Sequence, residues 1–152
     1  MNDCTFCQIV RRELPVHVIY EDENNLAFLD THPRTPGATL VITKEHYPSY
    51  AFDVPDEIYT KSFLLAKRLG KVLDNALGSF RTFMVTEGMQ IPHFHIKLYP
   101  YYKIVRNHQP EDFLHVQVTE YPGYITTLHG PRADDKELAE LASKISKEAS
   151  KL

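Results

Sequence analysis

The chain has 152 residues, 43% of them hydrophobic and 24% charged, with a formal net charge of -3. That length and balance suit one globular domain with a core of its own, and the net negative charge argues against a surface built to bind nucleic acid. No apolar run reaches membrane-spanning length and no charged-then-apolar leader precedes Cys4, so the expectation is a cytoplasmic protein without a membrane partner.

Taken in order, the elements begin with Thr5 as cap of one short helical turn over Phe6 to Arg12, ended before Pro15. Val16 to Tyr20 alternates as a strand. The polar turn Asp22 to Asn25 leads into a short apolar strand, Leu26 to Leu29, that ends at Asp30. His32-Pro33, Thr35-Pro36 and Gly37 mark an irregular loop, and Ala38 to Ile42 is the next strand. These close-spaced strands suggest an antiparallel meander.

One long helix follows. Asp53 is its expected N-cap, with Pro55, Asp56 and Glu57 in the first turn, where proline and acidic side chains are favoured. Ile58, Leu65, Leu69, Val72, Leu73 and Ala76 recur at helical spacing, and Gly78 is a natural stop. Phe80 to Val85 reads as a strand. Ile91 to Pro100 reads as another, with Phe94, Ile96 and Leu98 on one face and His93, His95 and Lys97 on the other. Further on, Phe113 to Val118 and Tyr124 to Leu128 suggest a hairpin turned at Pro122-Gly123. Asp134 opens a C-terminal helix with Glu137 in a partial capping box and Leu138, Leu141, Ile145 and Leu152 as its apolar stripe. One helix against an antiparallel sheet predicts an α+β fold. The boundaries expected are a domain over 1–103 and an extension over 104–152, packed on the same domain or at a dimer interface.

Two groups of residues carry chemistry. Cys4 and Cys7, at i and i+3, can grip one side of a tetrahedral cation that His46 and His93 complete. The spacing leaves three readings open: metal, buried free thiols, or a redox pair, the last weakened by the absence of a βαβ pattern around the cysteines. His95 is a candidate nucleophile toward phosphorus, since a neutral imidazole attacks well and its ordinary pKa lies near 6.5. Lys97, two residues on, would be a cation for the phosphoryl oxygens. Against this stands the blander reading of any His-x-His, a pair on a solvated strand face.

The order Cys-x-x-Cys, Ala27-Phe28-Leu29-Asp30, Pro36-Gly37-Ala38-Thr39-Leu40-Val41-Ile42, Lys44-Glu45-His46 and Pro92-His93-Phe94-His95 resembles the histidine-triad (HIT) superfamily of nucleotide hydrolases and transferases. The likeness covers residues 3 to 102 in register. It implies a five-stranded antiparallel sheet with one long helix, to which the C-terminal hairpin and helix are an extension. It also implies a homodimer and a purine nucleotide or dinucleotide as ligand. His95 becomes the nucleophile toward the α-phosphate, Asp30 the partner of the ribose hydroxyls, and Leu14, Phe28 and Leu29 neighbours of the base. Gly88 and Gln90 fall in the phosphate-gripping loop. Cys4, Cys7, His46 and His93 match the ligands of a structural zinc.

The chain also departs from the family pattern. Lys97 replaces the third triad histidine, and a lysine neither accepts a hydrogen bond when charged nor titrates near neutrality. Ala38 stands where a supporting histidine is usual. The phosphate loop is shortened to Thr86-Glu87-Gly88-Met89-Gln90-Ile91, with Glu87 placing a negative charge there and no counterpart for the leaving-group hydroxyl. Two functions follow: a nucleotidyl hydrolase or transferase working through His95, which the retained His95 and Asp30 favour, or a catalytically weak nucleotide-binding protein that keeps the zinc.

Overall fold

The computed structural model describes residues 4–102 and 129–152; the hairpin expected over 113–128 lies outside them. In chain order the elements are α1 (Thr5–Val10), β1 (Val18–Glu21), β2 (Asn25–Leu29), β3 (Thr39–Thr43), a single 3-10 turn (Ala51–Asp53), α2 (Asp56–Leu77), β4 (Arg81–Val85), β5 (His95–Tyr101) and α3 (Asp135–Ala149). The strands form one sheet in the order β1-β2-β3-β5-β4, and every neighbouring pair is antiparallel.

The sheet is covered on both faces, which explains why β2 is buried along its whole length. On one face lie α2 and α3. Ala27, Leu29, Val41, Ile96 and Leu98 of the sheet meet Leu65, Leu69, Val72 and Leu73 of α2 and Leu138, Ala142 and Ile145 of α3. Leu69 and Leu73 are fully excluded from water, and truncating either to alanine should cost about 2–5 kcal/mol. Ser62 breaks the apolar stripe of α2, but it donates to Asn25 Oδ1 at 2.7 Å, so its hydroxyl is satisfied. On the opposite face α1 lays Phe6 and Ile9 against Leu26, Phe28 and Ile42.

Element ends follow local chemistry with four adjustments. Gly78 closes α2 in the left-handed conformation (φ 68°). Its start is not capped by Asp53, which sits in the 3-10 turn; Pro55 occupies the N-cap position without a side-chain bond. Thr5 lies inside α1 and Cys4 precedes it, again without a side-chain cap. Asp134 does cap α3, accepting from the N–H groups of Lys136 and Glu137. Leu152 falls beyond α3 and is exposed, its place in the stripe taken by Ala142 and Ala149. His93 and Phe94 lie just ahead of β5 rather than within it.

Candidate functional site

Register places the polar residues of β5. Ile42 pairs with His95, Leu40 with Lys97 and Val41 with Ile96, so His95 and Lys97 share the α1 face with Leu40 and Ile42 while Ile96 faces α2. The face is not solvated: His93, His95 and Lys97 are 0%, 4% and 7% exposed. Buried polar side chains require partners, and each of the three has them.

His93 is oriented from both ring nitrogens. Its Nε2–H donates to the Thr43 carbonyl oxygen at 2.8 Å, with Thr43 Oγ1 3.2 Å away. The lone pair therefore sits on Nδ1, which lies 3.5 Å from Cys4 Sγ and 3.6 Å from Cys7 Sγ. His46 Nδ1 is 3.4 Å from Cys7 Sγ, and all four donor atoms lie within 4.8 Å of one another. Metal–ligand bonds of about 2.3 Å to sulfur and about 2.0 Å to nitrogen imply sulfur–nitrogen edges of about 3.5 Å around a tetrahedral ion. The sulfur–nitrogen separations of 3.5, 3.4 and 3.6 Å match that edge. Burial pulls the His93 imidazole down to about 4, keeping it neutral at physiological pH as a ligand must be. Burial also pushes the Cys7 thiol up, an effect the neighbouring Cys4 reinforces. The four residues come from α1, the loop after β3 and the loop before β5, so a shared ion would tie α1 to the sheet.

His95 is set differently. Its Nδ1–H donates to the His93 carbonyl oxygen at 2.7 Å, leaving the lone pair on Nε2. Burial lowers its pKa, so the ring is a neutral base. Phe6 packs edge-on against both rings, 5.1 Å from His95 and 5.7 Å from His93. Lys97 forms a largely buried ion pair with Glu87, whose carboxylate also accepts from the Met89 N–H at 2.9 Å. Burial alone would raise the Glu87 carboxyl, but these bonds hold it below the usual range.

His95 and Lys97 line a cavity of about 360 Å³ on the α1 face. Its walls divide by polarity. Phe6, Ile9, Leu14, Val16, Phe28 and Leu40 make an apolar slot, while Asp30, His32, Gln90, His95, Lys97 and His129 supply polar groups. A volume in this range with a few convergent polar groups suits a ligand of nucleotide size. Asp30 receives the His32 N–H at 2.8 Å through Oδ1.

Residues 11–104 match the HIT domain. The chain belongs to the HIT family. An uncharacterized HIT-like protein of Methanocaldococcus jannaschii is 36% identical over 105 residues, which cover 66% of this chain and 80% of that one. The adenosine 5'-monophosphoramidase of Saccharomyces cerevisiae is 39% identical over 70 residues, 46% of this chain and 44% of that enzyme. Among solved structures, a zinc-bound histidine triad family protein of Mycobacterium smegmatis superposes with a TM-score of 0.70 at 24% identity, covering 99% of this chain and 95% of that one. That likeness concerns the fold.

Within this HIT fold the sequence-derived site residues separate into three groups. Cys4, Cys7, His46 and His93 converge on one point. Leu14, Phe28, Asp30, Gln90, His95 and Lys97 border the cavity. Leu29 and Gly88 do not. Leu29 faces α2 because strand neighbours alternate, and Phe28, paired with Leu40, takes the cavity side. Gly88 is buried against Ser49 in the loop ahead of β5. Ala38 is buried at the head of β3, its carbonyl receiving the Asp30 N–H at 2.9 Å. Sequence reasoning missed Phe6 as the ring against both histidines, Thr43 as the group that orients His93, and His32 and His129 at the cavity. Only Thr43 had a sequence signal, as the end of the strand leading to His46.

Proposed function

We propose that this HIT chain is a nucleotidyl hydrolase or transferase acting on a phosphate-linked purine nucleotide, either a dinucleoside polyphosphate or a nucleoside phosphoramidate. The observation that carries the reading is the bond from His95 Nδ1 to the His93 carbonyl, which leaves a neutral Nε2 lone pair on a nucleotide-sized cavity. In the first step Nε2 attacks the α-phosphorus, a P–N bond forms, and the bond from phosphorus to the leaving group breaks. In the second, water attacks the same phosphorus, the P–N bond breaks, and the nucleoside monophosphate leaves with His95 restored. Asp30 would hold the ribose hydroxyls and the apolar slot the base. The family relationship to an adenosine 5'-monophosphoramidase favours an adenylyl group.

Cys4, Cys7, His46 and His93 would hold a structural zinc, an ion that suits two thiolates and two imidazoles. Bound there, it would clamp α1 to the sheet and fix the backbone carbonyl that orients His95. Two free cysteines committed to such a set support a reducing, cytoplasmic setting, and no helix among the described residues is long and apolar enough to cross a membrane. A homodimer is part of the same reading, supported by β4, which ends the sheet among the described residues, and by its exposed Phe83 and Met84. Residues 104–152 extend the 1–103 unit, with α3 packed into its core.

A second reading is favoured by one observation, the Lys97–Glu87 ion pair. It ties the side chain at the third triad position to a carboxylate beside the cavity, where an anionic phosphate would otherwise draw it. On that reading the chain binds nucleotides but turns them over weakly. Incubating the protein with adenosine 5'-phosphoramidate and diadenosine polyphosphate decides between the two. Release of AMP that His95→Ala abolishes supports the enzyme; tight AMP binding with no release from either substrate supports the binding protein.

A further inference from the structure

The segment between residue 129 and the cap of α3 belongs to the extension, yet its first residue, His129, borders the cavity. Two backbone bonds fasten it to the loop after β2: Gly130 N–H donates to the His32 carbonyl and Ala133 N–H to the Thr31 carbonyl, both at 2.9 Å. Gly130 crosses that loop so closely that a Cβ on it would stand 2.0 Å from the Pro33 carbonyl oxygen and 2.7 Å from its carbon. Only glycine fits such an approach, since the obstacle is backbone. At its far end the segment is anchored by Asp134, which caps a helix whose Leu138 and Ile145 are core residues. Its position beside the loop after β2 is therefore fixed from both sides.

That placement delivers His129 to the cavity wall. The imidazole is hydrogen-bonded through Nε2 to Gln90 Oε1 and its ring lies 6.3 Å, edge to face, from His32. His32 follows Asp30 by two residues, and Gln90 lies in the loop that leads to His95. His129 thus spans the interval between the residue proposed for the ribose and the loop proposed for the phosphate. By donating to Oε1 it leaves the N–H2 group of Gln90, a cavity-lining residue, available as a donor. Donors at that interval complement an anionic oxygen next to a ribose and nothing on a bare nucleoside.

We propose that His129, carried by the strap 129–133, is a specificity-determining residue that favours 5'-phosphorylated nucleosides over unphosphorylated ones. The inference rests on the nucleotide reading above. It is tested by titrating wild type, His129→Ala and Gly130→Ala with AMP and with adenosine in a calorimeter. The expected result is about tenfold weaker AMP binding for His129→Ala with adenosine binding within about twofold of wild type, at unchanged metal content and melting temperature. Gly130→Ala, which pushes the strap off the Pro33 carbonyl, should give the same selective loss with His129 intact. AMP binding by His129→Ala equal to wild type, or equal losses for AMP and adenosine, would overturn the role of His129 while leaving nucleotide binding standing. A wild-type protein that binds neither ligand would overturn the nucleotide reading itself, and this inference with it.

Discussion

The imidazole of His95 hangs from the backbone carbonyl of His93, Nδ1 to oxygen 2.7 Å. His93 is also the most buried member of the Cys4–Cys7–His46–His93 cluster. The peptide unit of a metal-type ligand thereby sets the tautomer of the candidate nucleophile, and a single strand entry links stability to chemistry.

The first consequence concerns the cluster. Cys4→Ser removes one of two thiolates from a set that joins α1 to the sheet. Elemental analysis of purified wild type should find about one zinc per chain and much less in the variant. The melting temperature should fall by ~5–10 °C, as expected for losing roughly 3 kcal/mol in a domain of this size. A metal-free wild type with the same melting temperature as Cys4→Ser would refute the zinc site.

Acid should weaken the metal-free fold in a defined window. The folded protein keeps His93 neutral down to about 4, whereas in the unfolded chain it takes a proton near the ordinary value of 6.5. Between those values the unfolded state binds more protons, so stability rises with pH there. The contribution is fully present above 6.5 and is lost as pH falls toward 4, by on the order of 3 kcal/mol. Urea unfolding in EDTA at pH 7, 5.5 and 4.5 should show a progressive drop, and His93→Gln should flatten it. A wild-type profile no steeper than that of His93→Gln would contradict the burial argument.

The legibility of this molecule in its sequence varied with how local the signal was. Five strands and the three α-helices follow from alternation, turn residues and helical spacing, and Gly78 and Asp134 end and begin their helices as expected. The alternation around His95 was readable because Ile96 and Leu98 are apolar and their neighbours are not. Phe28 and Leu29 could not be told apart in the same way. Both faces of β2 are buried, so both residues are apolar, and only the pairing of Phe28 with Leu40 reveals which one meets the cavity. His129 lay beyond reach for another reason: its contact with Gln90 joins residues that no local periodicity connects. Asp53 as a cap failed because the chain makes a 3-10 turn before α2, which a cap preference alone does not foresee.

Lys97 and Glu87 form a largely buried ion pair, and breaking one side of such a pair costs more than replacing both. Lys97→Met should lower stability by about 3 kcal/mol in chemical denaturation, while the double variant Lys97→Met with Glu87→Gln should recover most of it. Additive losses in that double-mutant cycle would mean that the two side chains are not coupled.

The most direct test of the account is to trap the intermediate. Wild type and His95→Ala are mixed briefly with a labelled adenylyl substrate, quenched in base to preserve the P–N bond, digested and analysed by mass spectrometry. One adenylyl group is expected on the wild-type chain, located on His95, and none on His95→Ala. Steady AMP release by wild type with no adenylylated His95, or equal labelling of both chains, would contradict it.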